Sequence, residues 1–153
     1  MRTFERILVA VDQNIRAEAP LRLALELAQT MGAELVVFHS ISQEEKDDRE
    51  DLPPPSGYVD VMIEETKRDL AALIADIVAD GEGPVTRVVA RPGEPAEEIR
   101  AVAAAENCDL IVIGLRRRSR VGKLLLGSNL QDVLMATERP VISVPTGDEP
   151  DTE

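Results

Sequence analysis

The chain has 153 residues, with 29 Asp plus Glu against 17 Lys plus Arg and a formal net charge of -12. That is about one domain's length, enough to bury a core without metal or disulfides, and the acid excess excludes the broad basic surface of a general nucleic-acid binder. Cys108 is the single cysteine and aromatics are 2% of the chain, which excludes an internal disulfide and an aromatic-lined binding surface.

No apolar run approaches the roughly 18 residues that would cross a bilayer, and the opening residues lack the pattern of a signal peptide. The expected location is cytoplasmic, with no membrane partner.

Glu5 to Val11 (ERILVAV) is a short, continuously apolar run that ends at Asp12, as expected of a strand buried on both faces. From Ala17 to Met31, the residues Leu21, Ala24, Leu25, Leu27, Ala28 and Met31 recur at helical spacing, and Gly32 supplies the stop. A second strand is expected over Glu34 to Ser40. After it, Ser42 to Asp51 carries six acids against two bases, followed by LPPPSG, which reads as a loop.

Tyr58 to Asp80 returns to helical spacing through Val61, Ile63, Leu70, Leu73, Ile74 and Ile77, before Gly81 and Gly83. The remaining expectations are a strand over Val85 to Ala90, a helix over Glu94 to Glu106, a strand over Asp109 to Ile113, a helix over Ser128 to Glu138 and a strand over Pro140 to Val144. The domain is expected to occupy residues 1–147, with 148–153 as an acidic tail.

Alternating strands and amphipathic helices predict right-handed crossovers and a parallel sheet covered on both faces. The fold class is therefore α/β: a single-domain, doubly wound, five-stranded parallel sheet. Ligands of such sheets bind beyond the carboxyl ends of the strands, where strand order reverses, so the residues after each strand carry the functional information. Here these are Asp12 to Asn14, Ser40 and Ile41, Arg91 to Gly93, and a loop beginning at Gly114.

That last loop reads GLRRRSRVGKLLLGS. Residues 116–123 carry five bases and no acid in an otherwise acidic chain. The loop runs from a strand end to a helix start, where unpaired N–H groups and the helix dipole favour an anion, and Ser128 can cap the helix or donate its hydroxyl. It is not a Walker A loop, because Gly122-Lys123 is followed by Leu124 rather than Ser or Thr. A solvated basic loop, or one paired with acidic segments, is the competing reading.

With these stretches in view, the chain resembles the universal stress protein family over essentially its whole length. ERILVAVD resembles the family's opening strand and acid, PAEEIRAVAAAENCDLIVIG its helix and fourth strand, GLRRRSRVGKLLLGS its nucleotide loop, and RPVISVP its closing strand. ATP-binding members carry G-x-x-G, nine residues, then G followed by Ser or Thr. Gly114, Gly127 and Ser128 fit, whereas Arg117 stands at the second glycine. An arginine there points away, fills phosphate space, or adds its guanidinium as an anion ligand.

The resemblance implies ATP or another adenine nucleotide as ligand, with or without Mg2+. It assigns Asp12 to the ribose or a phosphate-bound magnesium, Ser40 to the adenine, and Gly114, Arg117, Gly127, Ser128 and Asn129 to the phosphate side. It also implies a homodimer paired through the last strand, at Val141, Ile142, Ser143 and Val144. The bland alternatives are a turn cap for Asp12, a local backbone bond for Ser40 and a plain first-turn position for Asn129.

His39, the only histidine, lies within an apolar strand without metal-binding partners in sequence, and is expected as a core or strand-end residue. Cys108 is expected as a small apolar group without a catalytic role. No paired-carboxylate or triad pattern stands out, so a switch or binding protein is favoured over an enzyme, with slow ATP hydrolysis at most. Neither the stress signal nor a protein partner is specified by the residues.

Overall fold

The computed structural model describes residues 3–11, 18–41, 56–78, 81, 83–84, 86–115 and 128–146. Nine elements alternate along the chain: β1 (Arg6–Ala10), α1 (Glu18–Met31), β2 (Glu34–Ile41), α2 (Tyr58–Ile77), β3 (Thr86–Pro92), α3 (Pro95–Ala105), β4 (Leu110–Leu115), α4 (Ser128–Ala136) and β5 (Val141–Pro145). The five strands form one parallel sheet in the order β3-β2-β1-β4-β5. The doubly wound α/β expectation holds.

The strand alternation divides the core. Ile7 and Val9 of β1, Leu35 and Val37 of β2 and Val112 of β4 pack with Leu21, Ala24, Leu25 and Ala28 of α1 and Leu70 of α2. On the other face, Leu8, Val36, Phe38 and Ile111 meet Ala96, Ile99 and Val102 of α3 and Leu130 and Val133 of α4. Two helices therefore cover each face. Each buried Val, Leu or Ile contributes about 1.5–3 kcal/mol, which explains how a core almost free of aromatics holds the sheet.

Two helices stop by the same device. Gly32 has φ 66 after α1, and Ala33 N–H donates to Ala28 C=O at 2.8 Å. Asn107 has φ 55 after α3, and Cys108 N–H donates to Ala103 C=O at 2.8 Å. Both are left-handed caps that satisfy a terminal carbonyl, with glycine in one and asparagine, the side chain best tolerated there, in the other.

Several element ends differ from expectation: β2 runs on to Ile41, α4 ends at Ala136 and β5 covers Val141–Pro145. β3 runs on to Pro92 because Arg91 and Pro92 pair with Ser40 and Ile41 of β2, and β4 runs on to Leu115 because Gly114 and Leu115 pair with Val144 and Pro145. Gly114 is thus a strand residue rather than the first residue of a loop. α2 ends at Ile77, and its first turns bury little: Val61 is 53% exposed, and the buried positions are Thr66 and Leu70. The acidic 42–55 loop and the 148–153 tail lie outside the described residues.

Candidate functional site at the carboxyl edge of the sheet

All five strands are parallel, so their carboxyl ends share one edge. Strand order reverses between β1 and β4: from β1 the chain crosses to β2 on one side, and β4 lies on the other. This junction is the crevice where ligands of open α/β sheets bind. β1 ends there shortly before Asp12 in the sequence, β4 ends there immediately before the basic stretch in the sequence, and α4 starts at Ser128. Asp12, Arg117 and Gly127 lie outside the described residues, while Ser128 and Asn129 form the first turn of α4.

Gly114 lies in β4 at this edge. A Cβ added there would come within 3.0 Å of Thr146 Cγ2 and 3.2 Å of Pro20 Cγ. Its glycine therefore has a packing reason: it lets the first turn of α1 and the residue after β5 close over the end of β4.

The end of β2 is held on both sides. Val11, one residue beyond β1, donates its N–H to Phe38 C=O at 2.8 Å and accepts from His39 Nδ1 at 2.7 Å. Gly93, one residue beyond β3, donates its N–H to Ile41 C=O at 3.2 Å and accepts from Ser40 Oγ at 2.9 Å. Ser40 thus spends its hydroxyl proton on a backbone carbonyl, and the hydroxyl oxygen keeps its acceptor capacity.

The turn at Gly93 is tight. Its φ is 151, and a Cβ there would fall 2.5 Å from Glu98 Cγ. The Glu98 carboxylate behind it lies 3.2 Å from Arg91 Nε. Glu94 caps the following helix by accepting from the N–H groups of Ala96 and Glu97, with Pro95 in the first turn. The RPGEP stretch is therefore a strand end, a glycine turn and a helix cap in immediate succession.

Residues 3–145 match the universal stress protein family. The chain belongs to that family. A universal stress protein of Thermus aquaticus, from the 3' region of a QAH/OAS sulfhydrylase gene, is 33% identical over 92% of this chain and 98% of its own. The universal stress protein UspA of Lactobacillus plantarum matches with a TM-score of 0.71 at 21% identity, over 94% of this chain and 99% of its own. A universal stress protein from Archaeoglobus fulgidus, solved in complex with dAMP, is 28% identical with a TM-score of 0.57, over 94% of this chain and 99% of its own.

In this member of the family, His39 and Gly93 hold the carboxyl edge of the sheet; Gly93 was among the strand-end residues singled out from the sequence, whereas His39 was expected only as a core or strand-end residue. The signal for His39 was present: a lone histidine in an apolar strand needs a polar partner when buried. Cys108 is buried at the opposite edge, and burial pushes its thiol up to about 11, so it is the neutral thiol at neutral pH. Among the described residues, no three His, Cys, Asp or Glu side chains gather as a metal site, and no helix is long and apolar enough to cross a membrane.

Proposed function

We propose that this chain binds an adenine nucleotide, ATP or a relative, at the β1/β4 junction and acts in stress response or signalling as a switch rather than a fast enzyme. The observation that carries this reading is the strand order, which brings the exit of β1 toward Asp12 and the exit of β4 toward the basic loop to one crevice. The dAMP complex of the Archaeoglobus fulgidus relative supports the adenine class of ligand. Asp12 serves the ribose or a magnesium ion. Ser40 accepts from the base, and Gly114, Gly127, Ser128 and Asn129 serve the phosphates.

The test is a thermal-shift panel of ATP, ADP, AMP and cyclic AMP with and without magnesium, followed by calorimetry on each hit. Ligand at about 100 times its Kd adds roughly 2.7 kcal/mol, a shift of several degrees in a domain of this size. A magnesium-dependent ATP shift is expected, and no shift with any nucleotide overturns the reading.

Arg117 at the second glycine position favours a second reading, an ATP-independent interaction module that recruits an acidic partner. On that reading, Arg117→Gly creates nucleotide affinity that the natural chain lacks.

Two copies pair through β5 in either reading. β5 is an edge strand with Ser143 exposed and Val141, Ile142 and Val144 half-buried, and α4, which leads into it, exposes Leu134 at 46% and Met135 at 88%. An unpaired β-branched edge beside an apolar helix face is covered by self-association. Light scattering on the same samples reads a dimer; a concentration-independent monomer sinks this part.

A further inference from the structure

Ladder pairing between β1 and β2 ends at Ala10↔Phe38. One residue later, the Val11 peptide is gripped from both ends, its N–H by Phe38 C=O and its C=O by the His39 ring. A carbonyl only accepts, so Nδ1 carries a proton and is the donor. His39 is 4% exposed and, with Thr66, is one of two buried polar residues among the described ones. By strand alternation it lies on the α1/α2 face with Leu35 and Val37, while Ser40 faces the other way.

We infer that His39 is a positioning residue: its Nδ1–H holds the Val11 carbonyl and so fixes the direction in which the chain leaves β1 at the junction. The inference rests on the nucleotide-binding reading for what that exit serves. The matching arrangement at Gly93, where Ile41 C=O and Ser40 Oγ hold the turn after β3, makes the end of β2 a two-sided brace. The His39 half is the one adjoining the strand-order reversal, because β1 and not β3 neighbours β4. A histidine retained only to fill volume would need no particular ring nitrogen. A brace needs a donor at the Nδ1 position.

Asparagine and glutamine separate the two. The amide nitrogen of Asn occupies about the place of Nδ1, whereas that of Gln reaches about as far as Nε2. The experiment measures ATP and AMP affinity by calorimetry, together with melting temperature, for the full chain and its His39→Asn, His39→Gln and His39→Leu variants.

The expected result is an affinity loss on the order of tenfold for His39→Gln and His39→Leu, the usual effect of one lost oriented hydrogen bond, with His39→Asn near the natural chain. Affinities that simply follow melting temperature, or Asn behaving like Gln, overturn the inference. If His39→Leu fails to fold, the Asn and Gln pair still decides. Nitrogen-15 NMR of the imidazole provides a reading that needs no ligand: a slowly exchanging Nδ1–H is expected, and its absence overturns the brace. If the natural chain binds neither nucleotide but shows that Nδ1–H, the nucleotide reading fails while the brace at Val11 stands.

Discussion

The two edges of the sheet are held in different ways. At the amino edge, charged side chains bind backbone groups of distant elements. The Asp109 carboxylate accepts from Glu5 N–H at 2.9 Å and Arg6 N–H at 3.1 Å, and Asp109 N–H returns a bond to Arg6 C=O at 2.9 Å. The Arg6 guanidinium bonds Glu34 and the Glu106 carbonyl, and Arg139 donates to the Cys108 carbonyl at 2.6 Å. At the carboxyl edge, the side chains that reach across to neighbouring strand ends belong to β2: the His39 ring holds Val11 and the Ser40 hydroxyl holds Gly93, while the charged Arg91, Glu94 and Glu98 act locally around the turn after β3.

Charge-assisted bonds are about twice as strong as neutral ones, so the amino edge is built for stability. The carboxyl edge is built for placement, with the backbone aimed by the His39 and Ser40 side chains and a glycine turn. This division fits an open α/β sheet whose ligand crevice lies at one end only.

The largest expected effect comes from breaking the stable edge. Asp109→Ala removes two charge-assisted bonds to the start of β1 and costs about 2–3 kcal/mol, read by urea denaturation. Nucleotide affinity of the folded fraction stays unchanged. A parallel loss of affinity would mean that the two edges are not separate.

Gly93→Ala probes the other edge. Its Cβ collides with Glu98 in a backbone conformation that side chains rarely adopt, a strain of about 1–3 kcal/mol. Glu98→Ala in the same chain recovers part of the loss by removing the obstacle, while the backbone part remains. Full stability in Gly93→Ala alone would refute the tight-turn account.

The smallest effect sharpens the comparison through pH. Burial raises the Cys108 thiol from 9.0 to about 11, partly opposed by Arg6 and Arg139. A folded-state value above the unfolded one means that the unfolded chain loses its proton first. The contribution is therefore complete below pH 9 and is lost as pH rises through 11, an effect of about 1–2 kcal/mol after allowance for solvent screening. The measurement is the difference in alkaline stability between the natural chain and Cys108→Ala over pH 8–11. Equal pH slopes would show that the thiol does not titrate differently in the fold.

Much of the fold was legible from local pattern. The run ILVAV, the helical recurrence from Leu21 to Ala28 and the stop at Gly32 each express chemistry contained within a few neighbouring residues, and each element was found at that place. Glu94, Pro95 and the acids that follow likewise mark the start of α3. The glycine and serine spacing from Gly114 to Ser128 pointed to the family that the comparisons bear out.

What the sequence by itself determined was the order of elements, the apolar faces and the family, because periodicity, caps and motif spacing are properties of adjacent residues. The tertiary structure alone decided the strand order β3-β2-β1-β4-β5, the extension of β3 to Pro92 and of β4 through Gly114, and the exposure of Val61. It also decided that His39 holds Val11 and that Ser40 holds Gly93. The physical reason is the same in each case: a strand ends where its neighbour stops pairing, and a buried polar group takes the partner that packing brings to it, which residues far apart in the chain settle together.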